Sequence, residues 1–169
     1  MKKFTPFLSI LLFFVFQFCS QPQPQVDHQK EISAIRTVLE RYAIARENED
    51  LSIIEEIWAP DEDIILIGTD SDENLVGWEE IRKAIKRQFG SFENTLISIT
   101  DQEIKINKNG NTAWFSQMLN YNFIFNSEAM SFEGIRFTGV LEKREGQWRL
   151  VQGHLSIPVE VDIEEEMTR

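Results

Sequence analysis

The side chains in this chain that stand out for chemistry are two histidines, one cysteine and a small number of arginines set among apolar runs. Imidazole is the side chain whose unperturbed pKa falls near neutrality, so His28 and His154 are the candidate acid–base groups. His28 opens a helical stretch and is expected to be solvated. His154 lies within Gly134–Pro158, which reads as one long antiparallel hairpin, because two runs rich in Phe, Val, Leu, Ile and Trp flank Arg144-Glu145-Gly146. A three-residue loop with Gly146 left-handed sets Arg136 across from His154 and Thr138 across from Gln152. A two-residue loop at Glu145-Gly146 instead sets Phe137 against His154 and sends Arg136 to the other face. The first register is the expectation. It places a guanidinium beside an imidazole, and in an apolar cavity that pair offers a carboxylate or enolate two or more charge-assisted hydrogen bonds.

The expected ligand-binding set is therefore Arg136 and His154, with Trp58, Trp114, Phe137 and Tyr42 as candidate wall and His154 as the candidate catalytic group. An enzyme also needs a carboxylate or tyrosine beside the imidazole, for which Tyr42, Tyr121 and Asp63 are available. Ser156 shares a strand face with His154, but no acid is placed by spacing to complete a nucleophilic triad. Tyr42 and Trp58 are as readily core packing as lining.

Other chemistries find no support. Asp70, Asp72 and Asn74 match ligand positions one, three and five of an EF-hand loop, yet Leu75 and Ile81 occupy the positions that need Gly and Glu. Thr69–Asn74 is read as a solvated turn. Two distant histidines make no zinc site, and no Gly-rich phosphate loop is present. No metal or cofactor is expected. Acidic residues outnumber basic ones 28 to 17, giving a formal net charge of −11, so a phosphate backbone is repelled and nucleic acid is not an expected partner.

The elements that must position these residues follow from periodicity. Ile32, Ile35, Leu39 and Tyr42 form a helical stripe over 29–46 with Asp27 as N-cap. A shorter helix starts at Asp50, carries Leu51, Ile54, Ile57 and Trp58, and is ended by Pro60. A third helix spans 77–90, with Trp78, Ile81, Ile85 and Phe89 on one face, acids in its first turn, Lys86 and Arg87 in its last, and Gly90 closing it. Residues 64–67 form a short buried strand. Long strands are expected over 94–107, 112–125 and 130–144, with the Asn109-Gly110 pair marking one of the turns, and the hairpin completes a meander. Ala113-Trp114-Phe115, Met118-Leu119 and Phe123-Ile124-Phe125 put apolar residues on both sheet faces, more than one helical layer covers, which points to a homodimer through the outer face. With 42% hydrophobic residues, including 13 Phe and 4 Trp, the chain has the material for one well-filled core.

At the amino terminus Lys2 and Lys3 precede an apolar run from Phe7 to Phe18, the length of a signal-peptide core. Cys19 ends that run and a polar, Pro-rich spacer follows, an arrangement that resembles a bacterial lipoprotein, although Phe18 stands where such signals usually have a small residue. The expected organisation is a signal peptide at 1–18, a tether at 19–27, a folded domain at 28–158 and a loose acidic tail at 159–169. The resemblance implies lipidation of Cys19 and a place in the cell envelope, held to the membrane only through the lipid. An uncleaved anchor or soluble export is the alternative.

Arg136-Phe137-Thr138, Gly146-Gln147-Trp148 and His154-Leu155-Ser156-Ile157-Pro158 together resemble the end of a SnoaL-like domain of the nuclear transport factor 2-like superfamily. The resemblance extends upstream through Gly77-Trp78-Glu79-Glu80-Ile81-Arg82 and Gly110-Asn111-Thr112-Ala113-Trp114-Phe115, covering roughly residues 28–158. It implies an α+β cone: two or three helices on one strongly curved antiparallel sheet, with a pocket between them. Similar domains include polyketide cyclases, steroid isomerases and dehydratases, which use an Asp or His base and a Tyr or His polariser. Others, such as the association domain of calcium/calmodulin-dependent kinase, assemble or bind small acids. No position here matches the catalytic Asp of the isomerase or cyclase type. Three functions are thus carried forward: binding of a small anionic or carbonyl-bearing molecule, a lyase or isomerase, and a homo-oligomeric assembly domain without catalysis.

Overall fold

The computed structural model describes residues 26–159; the expected signal, Cys19, most of its tether and most of the acidic tail lie outside the described residues. Helix α1 spans His28–Glu47, and Asp27 caps it by accepting a hydrogen bond from the Lys30 N–H at 3.1 Å. Its buried stripe is Ile35, Leu39 and Tyr42, flanked by Ala43 and Ala45. Helix α2, Leu51–Ile57, is capped by Asp50, whose carboxylate takes the N–H groups of Ser52 and Ile53. It stops ahead of Pro60, because Trp58 is already extended and bridges to Leu150.

Strands β1, Ile65–Ile67, and β2, Asn74–Val76, form a small hairpin across the polar turn, and helix α3, Trp78–Gln88, follows. Then come β3, Glu93–Ile106, β4, Thr112–Phe125, β5, Glu128–Arg144, and β6, Gln147–Ser156. The sheet order is β2-β1-β6-β5-β4-β3. All neighbours are antiparallel except β1 with β6, which run parallel because the chain returns along β6 from Trp58 onward. Three helices on a curved, mostly antiparallel sheet make the expected α+β cone.

Curvature comes from register shifts, at Glu93–Leu96 and Thr100–Glu103 between β3 and β4, at Leu119–Tyr121 between β4 and β5, and at Val140–Leu141 between β5 and β6. An extra residue on one strand bends the ladder and increases its twist, so four such sites roll the long strands around the helices. Alternation then separates the faces. Ala113, Phe115, Gln117 and Leu119 of β4 are buried on the inner face, and Trp114 stands 49% exposed on the outer one. Gly139 and Gly153 face each other across β5 and β6. A Cβ on Gly153 would lie 3.2 Å from both Leu66 and Trp58, so its absence lets the fully buried Trp58 indole lie against the sheet.

The cone has a closed and an open end. At the closed end Glu31 of α1 binds Lys143 at 2.6 Å and the Trp148 indole N–H at 2.7 Å. Lys143 and Trp148 together hold the Glu31 carboxyl below its ordinary range, the hydrogen bond from Lys143 contributing most. Val26 packs against Gly110 in the β3–β4 turn at this same end. At the other end the β4–β5 hairpin turns at Asn126-Ser127, both with positive φ.

The β5–β6 register differs from both sequence readings. The loop has two residues, Glu145 (φ 51°) and Gly146 (φ 82°), and pairs Arg144 with Gln147. Past the shift at Val140–Leu141, Val151 is the extra residue on β6, so Thr138 pairs with His154 and Arg136 with Ser156. Arg136, Thr138 and His154 therefore share a face, but it is the outer one, since Phe137 and Leu155 alternate inward.

Candidate functional site

A cavity of about 280 Å³ lies between the helices and the inner sheet face, toward the open end, near the lower limit for pockets that hold small organic ligands. Its floor is Tyr42 from α1, Leu66 from β1, Ile85 from α3, and Phe123 and Ile135 from β4 and β5, all buried. Phe89 and Phe92 wall the α3–β3 side, and Phe92 packs tilted at 4.3 Å against Phe123, which in turn stacks at 5.9 Å on Phe132. The rim has two arcs. Glu49, Thr69, Asp70 and Gln88 make a polar one, and Phe132 and Ile157 an apolar one.

One cation lines this cavity, Arg46 in the last turn of α1. The helix end that carries it is fixed in place. Glu47 accepts the Ile97 N–H of β3 at 2.6 Å, and the Asn48 amide donates to the Ile44 carbonyl at 2.9 Å. The guanidinium donates to the Gln88 side-chain oxygen and lies 5.7 Å from the centre of the Phe89 ring, a cation–π distance. Among the described residues Arg46 forms no ion pair, whereas Arg41, Arg82 and Arg144 all do. Most of its donor fork is left for another acceptor.

Tyr121 of β4 projects into the same space. Burial pushes its phenol above the ordinary tyrosine value, while the Arg46 charge pulls the other way and Tyr42 pushes up again. The hydroxyl therefore stays protonated at neutral pH and is a donor. Arg46 and Tyr121 together present positive hydrogen-bonding potential inside an aromatic wall, suited to a carboxylate, an enolate or a polarised carbonyl oxygen. Glu49, Asp70 and Glu73 line the cavity too, on its polar side. Among the described residues no cluster of His, Cys, Asp and Glu has metal-binding geometry, and no helix is long and apolar enough to cross a membrane. Asp70 and Glu73 instead close the β1–β2 turn through backbone hydrogen bonds.

Of the residues expected from the sequence, Tyr42 and Tyr121 line this cavity. Arg136 and His154 do not, because the two-residue loop and the Val151 shift put both on the outer face. Trp58 and Phe137 are fully buried behind the floor, with Tyr42 packed 6.4 Å and 5.8 Å from their rings. Trp114 stands outside on β4. Asp63 is exposed on the approach to β1. The polar residue that sequence reasoning missed is Arg46, and a signal for it existed: position 46 continues the 35–39–42 stripe by one helical step, so a cation sits on the buried face of α1. Tyr121 was legible as the continuation of the inward alternation Phe115, Gln117, Leu119.

The sequence profile described as the SnoaL-like domain matches residues 35–160. No curated protein matches the chain. Solved structures do. A nuclear transport factor 2-like superfamily protein from Salmonella enterica serovar Typhimurium superposes with a TM-score of 0.72 at 17% identity, over 81% of this chain and 97% of the other. An NTF2-like protein of unknown function from Pseudomonas putida gives 0.67 at 18% identity, over 79% and 91%. A protein with a cystatin-like fold from Caulobacter vibrioides gives 0.65 at 19% identity, over 81% and 95%. At these identities the likeness is one of fold.

Proposed function

We propose, from the premise that this chain belongs to the SnoaL-like domain family, that its cavity is the receptor site of a binding module for a small anionic or carbonyl-bearing organic molecule. The observation that carries the reading is the Arg46 guanidinium, free of any ion pair among the described residues, set beside the Tyr121 hydroxyl in a cavity walled partly by aromatic rings, in a strongly acidic chain. Arg46 is half-buried and hydrogen-bonded to Gln88, and a ligand carboxylate would give it a charge-assisted partner for the donors that remain. Tyr42, Phe89, Phe92 and Phe123 supply flat apolar surface, which favours a cyclic or aromatic ligand.

The test is a thermal-shift screen of benzoate, hydroxybenzoates and cyclic ketones. Hydrogen bonds to a charged group contribute about 1.5–3 kcal/mol, so Arg46→Ala should weaken any hit by roughly 10- to 150-fold, and Arg136→Ala or His154→Ala should leave it unchanged. A hit that binds Arg46→Ala as tightly as the wild type removes the reading.

The lyase or isomerase reading draws on Glu49, Asp70 and Glu73, carboxylates on the same cavity as the Arg46–Tyr121 donor pair. Turnover of a bound carbonyl compound, lost in one carboxylate-to-amide variant, would establish it; binding without turnover leaves the binding module. For location, we propose export and lipid anchoring through Cys19. A Cys19→Ala chain that stays in the membrane fraction with an unchanged amino-terminal mass would rule that out. For assembly, we propose a homodimer through the outer sheet face, where Ile65, Ile67, Val76 and Trp114 are each at least 36% exposed.

A further inference from the structure

The small β1–β2 hairpin carries the inside–outside alternation of any strand pair. Leu66 pairs with Leu75 and both line the cavity, while Ile67 and Asn74 pair on the exposed side. One step further along, the Gly68 N–H donates to the Glu73 carbonyl at 2.8 Å. Glu73 therefore stands at the next inward position, in phase with Leu66 and Leu75, and it lines the cavity with them. Its side chain is folded over Gly68: a Cβ there would lie 1.9 Å from a Glu73 carboxylate oxygen and 2.6 Å from its carboxyl carbon. Gly68 is not among the glycines with positive φ, so what glycine supplies at this position is room for that carboxylate.

The carboxylate has little to hold it. Among the described residues Glu73 forms no ion pair, and its side chain accepts only the Asp70 N–H at 3.4 Å, longer than an ordinary N–H···O bond. The other cavity acids differ from it. Glu49 is taken up by the Gly90 N–H at 2.5 Å, and Asp70 is exposed on the turn. Arg46 is the counterpart of Glu73, a cation on the same cavity without an ion pair, and the two do not reach each other. Tyr121, beside Arg46, stands on β4, while the Glu73 carboxylate lies over the end of β1, three strand steps away in the sheet. Three steps are about 14 Å between strand axes. Leu66, Leu155, Ile135 and Phe123 line the cavity across that interval. One cavity thus has a cationic pole, an apolar belt and an anionic pole.

We infer, resting on the reading of this cavity as a receptor for a small organic molecule, that its ligand is amphoteric: a carboxylate held by Arg46 and Tyr121, and an ammonium group held by Glu73. Each pole then gains a charge-assisted hydrogen bond, and the body of the ligand lies on the apolar belt. Glu73 sets specificity in this arrangement. An ammonium carried past the belt loses hydration that only a carboxylate at the far end replaces, so the same acid would select for an amine with Glu73 present and against one with it gone.

Isothermal titration of the full chain with 3- and 4-(aminomethyl)benzoate, each against the ethylbenzoate of the same substitution, tests this, because the paired acids differ only by an ammonium in place of a methyl group. The wild type should bind one aminomethyl acid at least tenfold more tightly than its ethyl counterpart. Glu73→Gln should erase or reverse that preference and leave the ethylbenzoate affinity within about twofold, which also reports that the variant is folded. Gly68→Ala should act likewise, since its methyl displaces the Glu73 carboxylate. Equal binding of the paired acids by the wild type would overturn the inference, as would a preference for the ethyl acids, no binding of either pair, or a preference that survives Glu73→Gln. Arg46→Ala keeps this outcome separate from the reading beneath it, since it should weaken every acid that binds by tenfold or more. Absence of the amine preference with that dependence intact removes the amphoteric ligand and leaves the receptor; acids indifferent to Arg46→Ala remove both.

Discussion

Replacing Glu31 with Gln removes one negative charge from the closed end of the cone and leaves its shape intact. In the native chain that carboxylate receives the Lys143 ammonium at 2.6 Å and the Trp148 indole at 2.7 Å, and the Glu31 and Lys143 side chains are only 17% and 28% exposed. Exposed ion pairs contribute about 0–1 kcal/mol, and hydrogen bonds to charged groups about 1.5–3 kcal/mol. A mostly sheltered pair with two such bonds falls between, and Gln keeps part of the hydrogen bonding, so the expected loss is about 1–2 kcal/mol. For a domain of this size that lowers Tm by roughly 3–8 °C. The sign of the pH dependence follows from the depressed carboxyl. Glu31 binds its proton less readily folded than unfolded, so its contribution is complete above its ordinary value of 4.5 and is lost as pH falls through the lower folded value. Urea unfolding at pH 7 should show the full gap between wild type and Glu31→Gln, and the gap should narrow as pH is lowered below 4.5. A double-mutant cycle with Lys143→Met should give a coupling of about 1 kcal/mol. A gap unchanged by acid, or additivity within about 0.3 kcal/mol, would refute the reasoning.

Gly153→Ala should destabilise the fold by about 1–3 kcal/mol in urea titrations, because the new methyl meets Leu66, Trp58 and Phe137 at 3.2–3.3 Å inside a packed layer. Tyr121→Phe removes a neutral donor and should weaken a cavity ligand by about three- to tenfold in isothermal titration, with folding unaffected. Trp114→Glu, on the outer face, should convert a dimer to a monomer in light scattering without altering that affinity; a monomeric wild type would exclude the dimer.

Element types were legible because the chain writes them as periodicity. The stripe Ile35, Leu39, Tyr42, the caps Asp27 and Asp50, and the alternation through β4 each report a local rule that packing does not overturn. The hairpin register was not legible, since it turns on Glu145 accepting a left-handed backbone and on one extra residue at Val151. Neither is visible in side-chain type, and together they move Arg136 and His154 to the outer face. The parallel β1–β6 pairing was hidden for a related reason: it rests on the path from Trp58 to Ile67 along β6, a tertiary route with no local signature. Arg46 was overlooked because a cation in the last turn of a helix is already explained by the helix dipole. Its phase on the stripe carried the further information.

The chain arrives at the domain beside Gly110, and the cavity opens near the far end of β4. Thirteen residue steps separate Thr112 from Phe125, about 43 Å at 3.3 Å per step. The seven steps from Cys19 to Val26 reach at most about 25 Å. A domain lipidated at Cys19 and standing upright therefore faces its mouth away from the bilayer, like a cup set down on its base. To bring that mouth to the lipid it must lie on its side, and an acidic chain resists lying against an anionic leaflet. If the proposed anchoring through Cys19 holds, such an orientation would suit the capture of molecules from the surrounding aqueous space over the extraction of lipids from the bilayer.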